Sequence, residues 1–436
     1  MKKLLLTIPA LLVILAGCDS SALSVANTDD GKKSEEESKQ SENKTDEEKK
    51  QDDLSIQSIT DAMAAMNPGW NLGNTLESNS GDLENMWIEA YSSRTTQDYE
   101  TAWGQPVTTR ALIHMFKEAG FKAIRVPVTW YPHMGKLTVT TGQNAAGEWK
   151  GFWDPEKNWT GTDVDAVWMA RVKEVVNYVI DEGMYCILNV HHDTGESTTA
   201  WLRASEEVYE AQKERYEALW KQIALEFRDY PQTLLFESYN EMLDPYSSWC
   251  FASYATKNRY DSAVANSAYK AINGYAQTFV NTVRATGGLN ASRNLIVNTY
   301  GACSGAGTWN NHLKDPLKNM ALPSDSVKDH IAFEIHSYWD VSSNQESSVN
   351  DMFSALASNL QTKAPVVIGE WGVTSDLSTS AGMQNAADFA EMFVRKAKAA
   401  GCPTFWWMGL SDGADRSVPK WTQPLIKDAI IKGSAD

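Results

Sequence analysis

The sequence predicts one α/β domain of the (β/α)8-barrel class, set behind an export signal and a charged tether. Three observations carry that expectation. From about residue 60 onward, short apolar runs alternate with longer amphipathic ones, the order of a parallel β/α architecture. The apolar runs number eight, which favours a closed barrel over an open sheet. Gly120, Gly183, Gly287-Gly288 and Gly401 each follow a helical stretch just before the next run, where helix C-caps fall.

The N-terminus comes first. Met1-Lys2-Lys3 is a short positive segment, and Leu4 to Leu15 is a mostly apolar run too short to span a bilayer comfortably. It reads as a signal peptide. It ends in Leu15-Ala16-Gly17-Cys18, which resembles the lipobox of bacterial lipoproteins, so Cys18 is the expected lipid attachment point. Residues 1–18 are thus assigned to the signal. Residues 19–57 are a charged low-complexity linker: Asp29 to Asp53 carries no aromatic residue and almost nothing apolar, and cannot bury a core. The folded domain is expected over 58–436. This arrangement predicts an exported protein, lipid-anchored to the bacterial cell envelope and facing outward.

Composition narrows the partner. With 42% hydrophobic and 22% charged residues the chain is globular. Its 39 basic against 56 acidic side chains give a net charge of −17, which argues against a phosphate-backbone partner. The 17 Trp and 16 Tyr outnumber the 12 Phe, pointing to flat amphipathic surfaces for a ligand. Of the five Cys, Cys186 and Cys402 lie in or beside apolar runs and read as small buried hydrophobes, while Cys250 and Cys303 fall in loops with bridging left open. No Cys or Cys/His spacing implies zinc, and no cofactor is expected.

The eight strand-like runs begin at Trp70, Ala123, Cys186, Leu234, Leu295, Ile331, Val366 and Thr404. Helical patterns run from Ala111 to Ala119, Val164 to Asp181, Glu207 to Phe227, Val264 to Arg284, Val349 to Leu360 and Ala386 to Ala399. The long Trp-bearing segment from Lys136 to Thr162 is expected over the active face.

Chemistry in such a barrel sits where the strands end. In chain order those ends offer Asn71 and Asn74, then Arg125, then His191, His192 and Asp193, then Asn240 and Glu241. Asn298 and Tyr300 follow, then His336 and Tyr338, Glu370 and Trp371, and finally Trp406, Trp407 and Asp412. One strand-end Asn or Glu is ordinarily a turn residue. Eight strands all ending in groups that bond or stack on a polyhydroxylated ligand describe a glycan site. Glu241 after the fourth run and Glu370 after the seventh face each other across a barrel. Two facing carboxyls are what glycoside hydrolysis needs, one to protonate the leaving oxygen and one to attack the anomeric carbon or activate a water. Asn240 can hold a sugar hydroxyl. Tyr338, two residues beyond His336 and so on the same side of its strand, can bond Glu370 and keep it ionised, and Arg125 can do so through charge.

Taken together, Gly69-Trp70-Asn71-Leu72-Gly73-Asn74-Thr75, Ile124-Arg125-Val126-Pro127, Asn240-Glu241, His336-Ser337-Tyr338 and Gly369-Glu370-Trp371-Gly372 resemble glycoside hydrolase family 5, the cellulase family, over roughly residues 58–430. Glu100 to Pro106 is similar to a run of its endoglucanase and xyloglucanase branch. The resemblance implies a retaining endo-β-1,4-glucanase with Glu241 as acid/base and Glu370 as nucleophile. Arg125, His191, Asn240, His336, Tyr338 and Trp407 match the family's other recurrent positions, with Asn71 and His192 as further binding or supporting groups. Met242 after Glu241 and Met408 after Trp407 depart from the common pattern and leave Trp406 and Trp407 as alternatives. A polysaccharide is the expected partner and a monomer the expected state. Within the family, xyloglucan, mannan or xylan are alternative substrates. A non-catalytic glycan-binding lipoprotein is the alternative of another class, but it has no use for two opposed carboxyls. A metal hydrolase built on His191, His192 and Asp193 is disfavoured, because adjacent strand residues point to opposite faces.

Overall fold

A computed structural model describes residues 57–249, 261–305, 314–374, 377–407 and 413–435. Cys18, the tether up to residue 56, Cys250, Met408 and Asp412 lie outside the described residues.

Eight parallel strands close into a barrel: β1 Gly69–Asn71, β2 Ala123–Val126, β3 Tyr185–Asn189, β4 Leu234–Glu237, β5 Leu295–Asn298, β6 Ile331–Trp339, β7 Val366–Val373 and β8 Thr404–Trp406. β1 pairs with both β2 and β8, so the sheet has no edge. The expected runs all form strands. Two continue further than their apolar residues indicate. After a bulge, β6 and β7 keep pairing through His336↔Glu370 and Tyr338↔Gly372. Ladder hydrogen bonds are made by the backbone and persist after the side chains turn polar.

The outer ring is α1 Arg110–Ala119, α2 Ala166–Asp181, α3 Glu206–Glu226, α4 Ser262–Ala285, α5 Asp315–Asn319, α6 Glu346–Asn359, α7 Ser380–Ala399 and α8 Leu425–Ala435. Six of these were expected. α5 has five residues, too few to show a helical period, and α8 follows the last strand. Side-chain oxygens of Thr109, Asp165, Asp261 and Thr379 cap the starts of α1, α2, α4 and α7. At the end of α1, Gly120 takes the left-handed conformation (φ 103°) that ends the helix.

Side chains alternate between two cores, as strand geometry demands. Outward-facing residues such as Ile124, Cys186, Leu188 and Phe236 pack under the helices. Inward-facing Ala123, Ile187, Leu235, Ile296, Ala332, Val367 and Phe405 fill the lower barrel, which the helix Ile59–Ala65 closes with Ile59, Ala62 and Met63. Two residues further along the same strands, the inward positions are Arg125, Asn189, Glu237, Asn298, Glu334, Gly369 and Trp407. The barrel therefore passes from apolar to polar within one side-chain layer.

The segment expected over the active face forms two antiparallel ribbons, Met134–Leu137 with Trp159–Val164 and Thr140–Gln143 with Trp149–Phe152. Its contacts run to α3, through Arg215 over the Trp159 ring and Gln222 on Thr162, and to the helix Trp87–Tyr91. Tyr131 stacks on Trp153, and Trp153, Trp159 and Trp201 follow edge-to-face, a chain of rings that braces the loops after β2 and β3.

Candidate active site

Arg125 organises the polar layer. It is fully buried on β2, and a buried guanidinium needs both charge and hydrogen-bond partners. Its Nε and Nη2 donate to the two oxygens of Glu237 at 2.6 and 2.7 Å, a bidentate pair. Nη1 donates to Glu370 Oε1 at 2.7 Å and to Asn71 Oδ1 at 3.0 Å, and Nη2 donates to Asn240 Oδ1 at 2.8 Å. Asn71 in turn donates to the carbonyl of Gly369, tying β1 to β7 beside the nucleophile candidate. Asn71 is therefore a supporting group, and Asn240 presents its oxygen to Arg125.

The two carboxyls meet as β4 and β7 bring them up. One oxygen of Glu241, one of Glu370 and one ring nitrogen of His336 lie within 4.8 Å of one another. These are also the residues among those described that are close enough to share a metal ion. Their atoms are already engaged by proton donors: Tyr338 Oη donates to Glu370 Oε2 at 2.6 Å, and His336 Nδ1 is 2.7 Å from Glu241 Oε1 and 3.5 Å from Glu370 Oε2.

The environments push the two apart. Burial raises Glu241, and the charge of Glu370 adds to the rise against the pull of His336. Burial also acts to raise Glu370, but His336, Arg125 and Tyr338 outweigh it and hold Glu370 below the usual carboxylate range. The expected split thus has two refinements. Desolvation comes before Glu370's charge in raising Glu241, and His336 joins Arg125 and Tyr338 in lowering Glu370. Burial pulls His336 down, yet the charge of Glu370 and the hydrogen bonds to Glu241 and Glu334 lift it to about 10, so it is an imidazolium.

Around this pair, His191 lies 3.8 Å from Glu370 Oε1 and stacks on Trp407, with centroids 5.6 Å apart and planes 3° from parallel. Burial holds His191 well below its ordinary value, as a neutral ring. His192 sits edge-on to His191 and beside Trp103, and burial drops it to about 4. The two tryptophans separate by strand alternation: Trp406 is buried against Trp371, whereas Trp407 is half-buried in the barrel mouth, with Gly73 leaving room for its ring.

Several strand-end residues do not face a ligand. Trp371 is fully buried in the outer core, because it follows Glu370 and points the opposite way. Asp193 accepts from the amides of Trp130 and Tyr131 and from Trp201 Nε1, and so pins loops. Tyr300 is buried and bonds Asp244 and the Ser248 carbonyl. Asn298 lies one layer below the carboxyl pair. Two residues of the site went unread in the sequence, Glu237 and Glu334. Each sits inside an apolar run counted as strand, and an acid at an inward position of a barrel strand was the available signal.

A (β/α)8 barrel with two carboxyls shifted in opposite directions at the C-terminal mouth has the equipment of glycosidic-bond hydrolysis. Comparison with known proteins places it more closely. The cellulase family (glycosyl hydrolase family 5) matches residues 87–412, and the chain belongs to that family. It is 43% identical to a solved GH5-4 broad specificity endoglucanase from an uncultured bacterium, covering 90% of this chain and 100% of that one with a TM-score of 0.75. It is 37% identical to a glycoside hydrolase family 5 enzyme from Prevotella bryantii B14 solved with a xyloglucan tetradecasaccharide, covering 87% of this chain and 99% of that one with a TM-score of 0.71. It is 30% identical over 405 residues to the cellulase/esterase CelE of Acetivibrio thermocellus, covering 86% of this chain and 40% of that protein. The chain thus spans about two fifths of that relative's length.

Proposed function

We propose that the protein is a retaining endo-β-1,4-glucanase. The observation that carries the reading is the Glu241–Glu370 pair, with facing oxygens within 4.8 Å and surroundings that push Glu241 up and Glu370 down from the usual carboxylate range. Retaining enzymes hold their carboxyls ~5–5.5 Å apart, whereas inverting ones need ~6.5–9.5 Å to admit a water. Glu370 attacks the anomeric carbon as its bond to the leaving oxygen breaks, and Glu241 gives that oxygen its proton. The glycan leaves, and the sugar remains as an ester on Glu370. Glu241, now a carboxylate, takes a proton from water as the water oxygen attacks, and Glu370 is released ionised. Arg125 can only donate, so it fixes the Asn240 oxygen inward and leaves the amide NH2 for a sugar hydroxyl. Trp407 supplies a stacking face beneath the ring at the cleaved bond.

The test is a panel of soluble and insoluble β-glucans, mannan and xylan, with product sizing and NMR of the first anomer formed. Oligomers of retained configuration support the reading, and an inverted first product overturns it. Xyloglucan is the second substrate reading, supported by the Prevotella relative's xyloglucan complex.

For location, we infer a lipid anchor on Cys18 with the catalytic domain outside the cell envelope, from the lipobox-like Leu15-Ala16-Gly17-Cys18 and the charged tether. Cys18→Ala should move the protein from membrane to soluble fractions, and an unchanged distribution rejects the anchor.

A further inference from the structure

We propose that Glu334 is a positioning residue for the acid/base: through His336 it holds a carboxylate–imidazolium–carboxyl chain that keeps Glu241 protonated as the pH rises. The inference rests on the reading of Glu241 as acid/base.

The geometry is a continuous bridge. His336 Nδ1 meets Glu241 Oε1 at 2.7 Å and its Nε2 meets Glu334 Oε1 at 3.2 Å, so both ring nitrogens face a carboxyl oxygen. A ring so placed is fixed in orientation and is best satisfied with both nitrogens protonated. Glu334 is wholly buried, and the barrel is built around it. A Cβ on Gly369 of the adjacent β7 would stand 1.8 Å from Glu334 Oε1, so the glycine leaves the space the carboxyl occupies. The same oxygen lies 3.4 Å from both Arg125 Nη2 and Asn298 Nδ2. The other oxygen, Oε2, has no partner among the described residues and can carry a proton.

Charge counting asks for that proton. The groups facing Glu334 are Arg125 from β2, Glu237 and Glu241 from β4 and its loop, His336 from β6 and Glu370 from β7, with Tyr338 and neutral His191 at the rim. Four carboxyls against two cations leave an excess of two negative charges in a buried site, which two bound protons remove. One is on Glu241. The second belongs on Glu334, which burial, and then the charge of Glu237, raise to about 7. Below neutrality Glu334 is neutral. As the pH passes about 7 it ionises behind His336, and the new negative charge opposes loss of protons from both His336 and Glu241.

Glu334→Gln preserves size and an acceptor for Nε2 but cannot ionise. The pH profile of kcat on a soluble β-glucan should keep its acid limb, set by Glu370, while the alkaline limb moves to lower pH by roughly one unit. Limbs that stay in place, or an equal loss at every pH, overturn the proposal and leave Glu334 a packing residue. Should the variant not fold, nitrogen NMR of histidine-labelled wild type decides: both His336 nitrogens protonated at pH 7.5 support the chain, and a neutral ring refutes it. A wild type inactive on every β-glucan condemns the proposed activity instead, and the NMR measurement still judges the bridge.

Discussion

The lower and upper halves of the barrel interior are built by the same strands, two residues apart, yet they obey opposite rules. At the lower end Ile187, Leu235, Ile296, Val367 and Phe405 are sealed by the helix Ile59–Ala65, and stability comes from removing apolar surface from water. One step up, Asn189, Glu237, Asn298 and Glu334 surround Arg125, and every buried polar group depends on a partner. The lower layer is held by close packing and carries no charge. The upper one is a set of matched charges whose value lies in setting the protonation of the pair above it.

If that division is right, substitutions in the two layers should fail differently. The largest expected effect is at the mouth. Glu370→Ala should abolish turnover on every glycoside, and added azide should restore it with inverted product, because the anion fills the vacated nucleophile position. Recovery with retained product would remove Glu370 from its role. Next comes Arg125→Ala, which strips the bidentate partner from Glu237 and should cost ~3–5 kcal/mol of stability together with activity. At the other end, Leu235→Ala should cost a comparable ~2–5 kcal/mol by leaving a cavity, while the pH profile of the remaining activity stays in place. Denaturant melts and pH profiles on the two variants test the contrast, and a shifted profile in Leu235→Ala would dissolve it.

The pH dependence of stability sharpens the comparison further. His336 is raised from 6.5 to about 10, so its stabilising contribution is complete below pH 6.5 and is lost as the pH rises through about 10. His191 and His192, held low, are neutral in both folded and unfolded chains above pH 6.5 and do not oppose it. The melting temperature should therefore decline from pH 6.5 toward 10, and a flat or rising curve contradicts the imidazolium assignment. The smallest effect is expected at Trp407. Stacking is worth ~0.5–1.5 kcal/mol beyond area burial, so Trp407→Ala should lower activity roughly tenfold with little change in melting temperature. Trp406→Ala, buried against Trp371, should mainly lower stability. The reverse pattern would exchange their places.

Much of this was legible in one chain of letters, for a physical reason in each case. Strands and long helices announce themselves through periods of two and 3.6, which depend only on local geometry. Cleft residues such as Arg125, His336 and Tyr338 stand at the ends of apolar runs, where a barrel places its chemistry. α5 was not legible, being shorter than the period needed to detect it. Nor was the interior role of Glu237 and Glu334 read: each lies inside an apolar run counted as strand, although the two-residue period places Glu334 on the same side of its strand as His336.

What the sequence by itself determined was therefore the parts and their order: eight strands, the helices between them, and two glutamates on opposite strands. Only the tertiary structure decided which polar residues touch sugar and which hold the others. That choice turns on strand register and barrel closure, which bring Asn71, Arg125, Glu237, Glu334 and Glu370 together from five separate strands. Closure also buries them away from water, which acts to raise both glutamates of the pair; what separates Glu241, pushed up, from Glu370, pulled down, is the set of partners closure gathers on Glu370, namely His336, Arg125 and Tyr338.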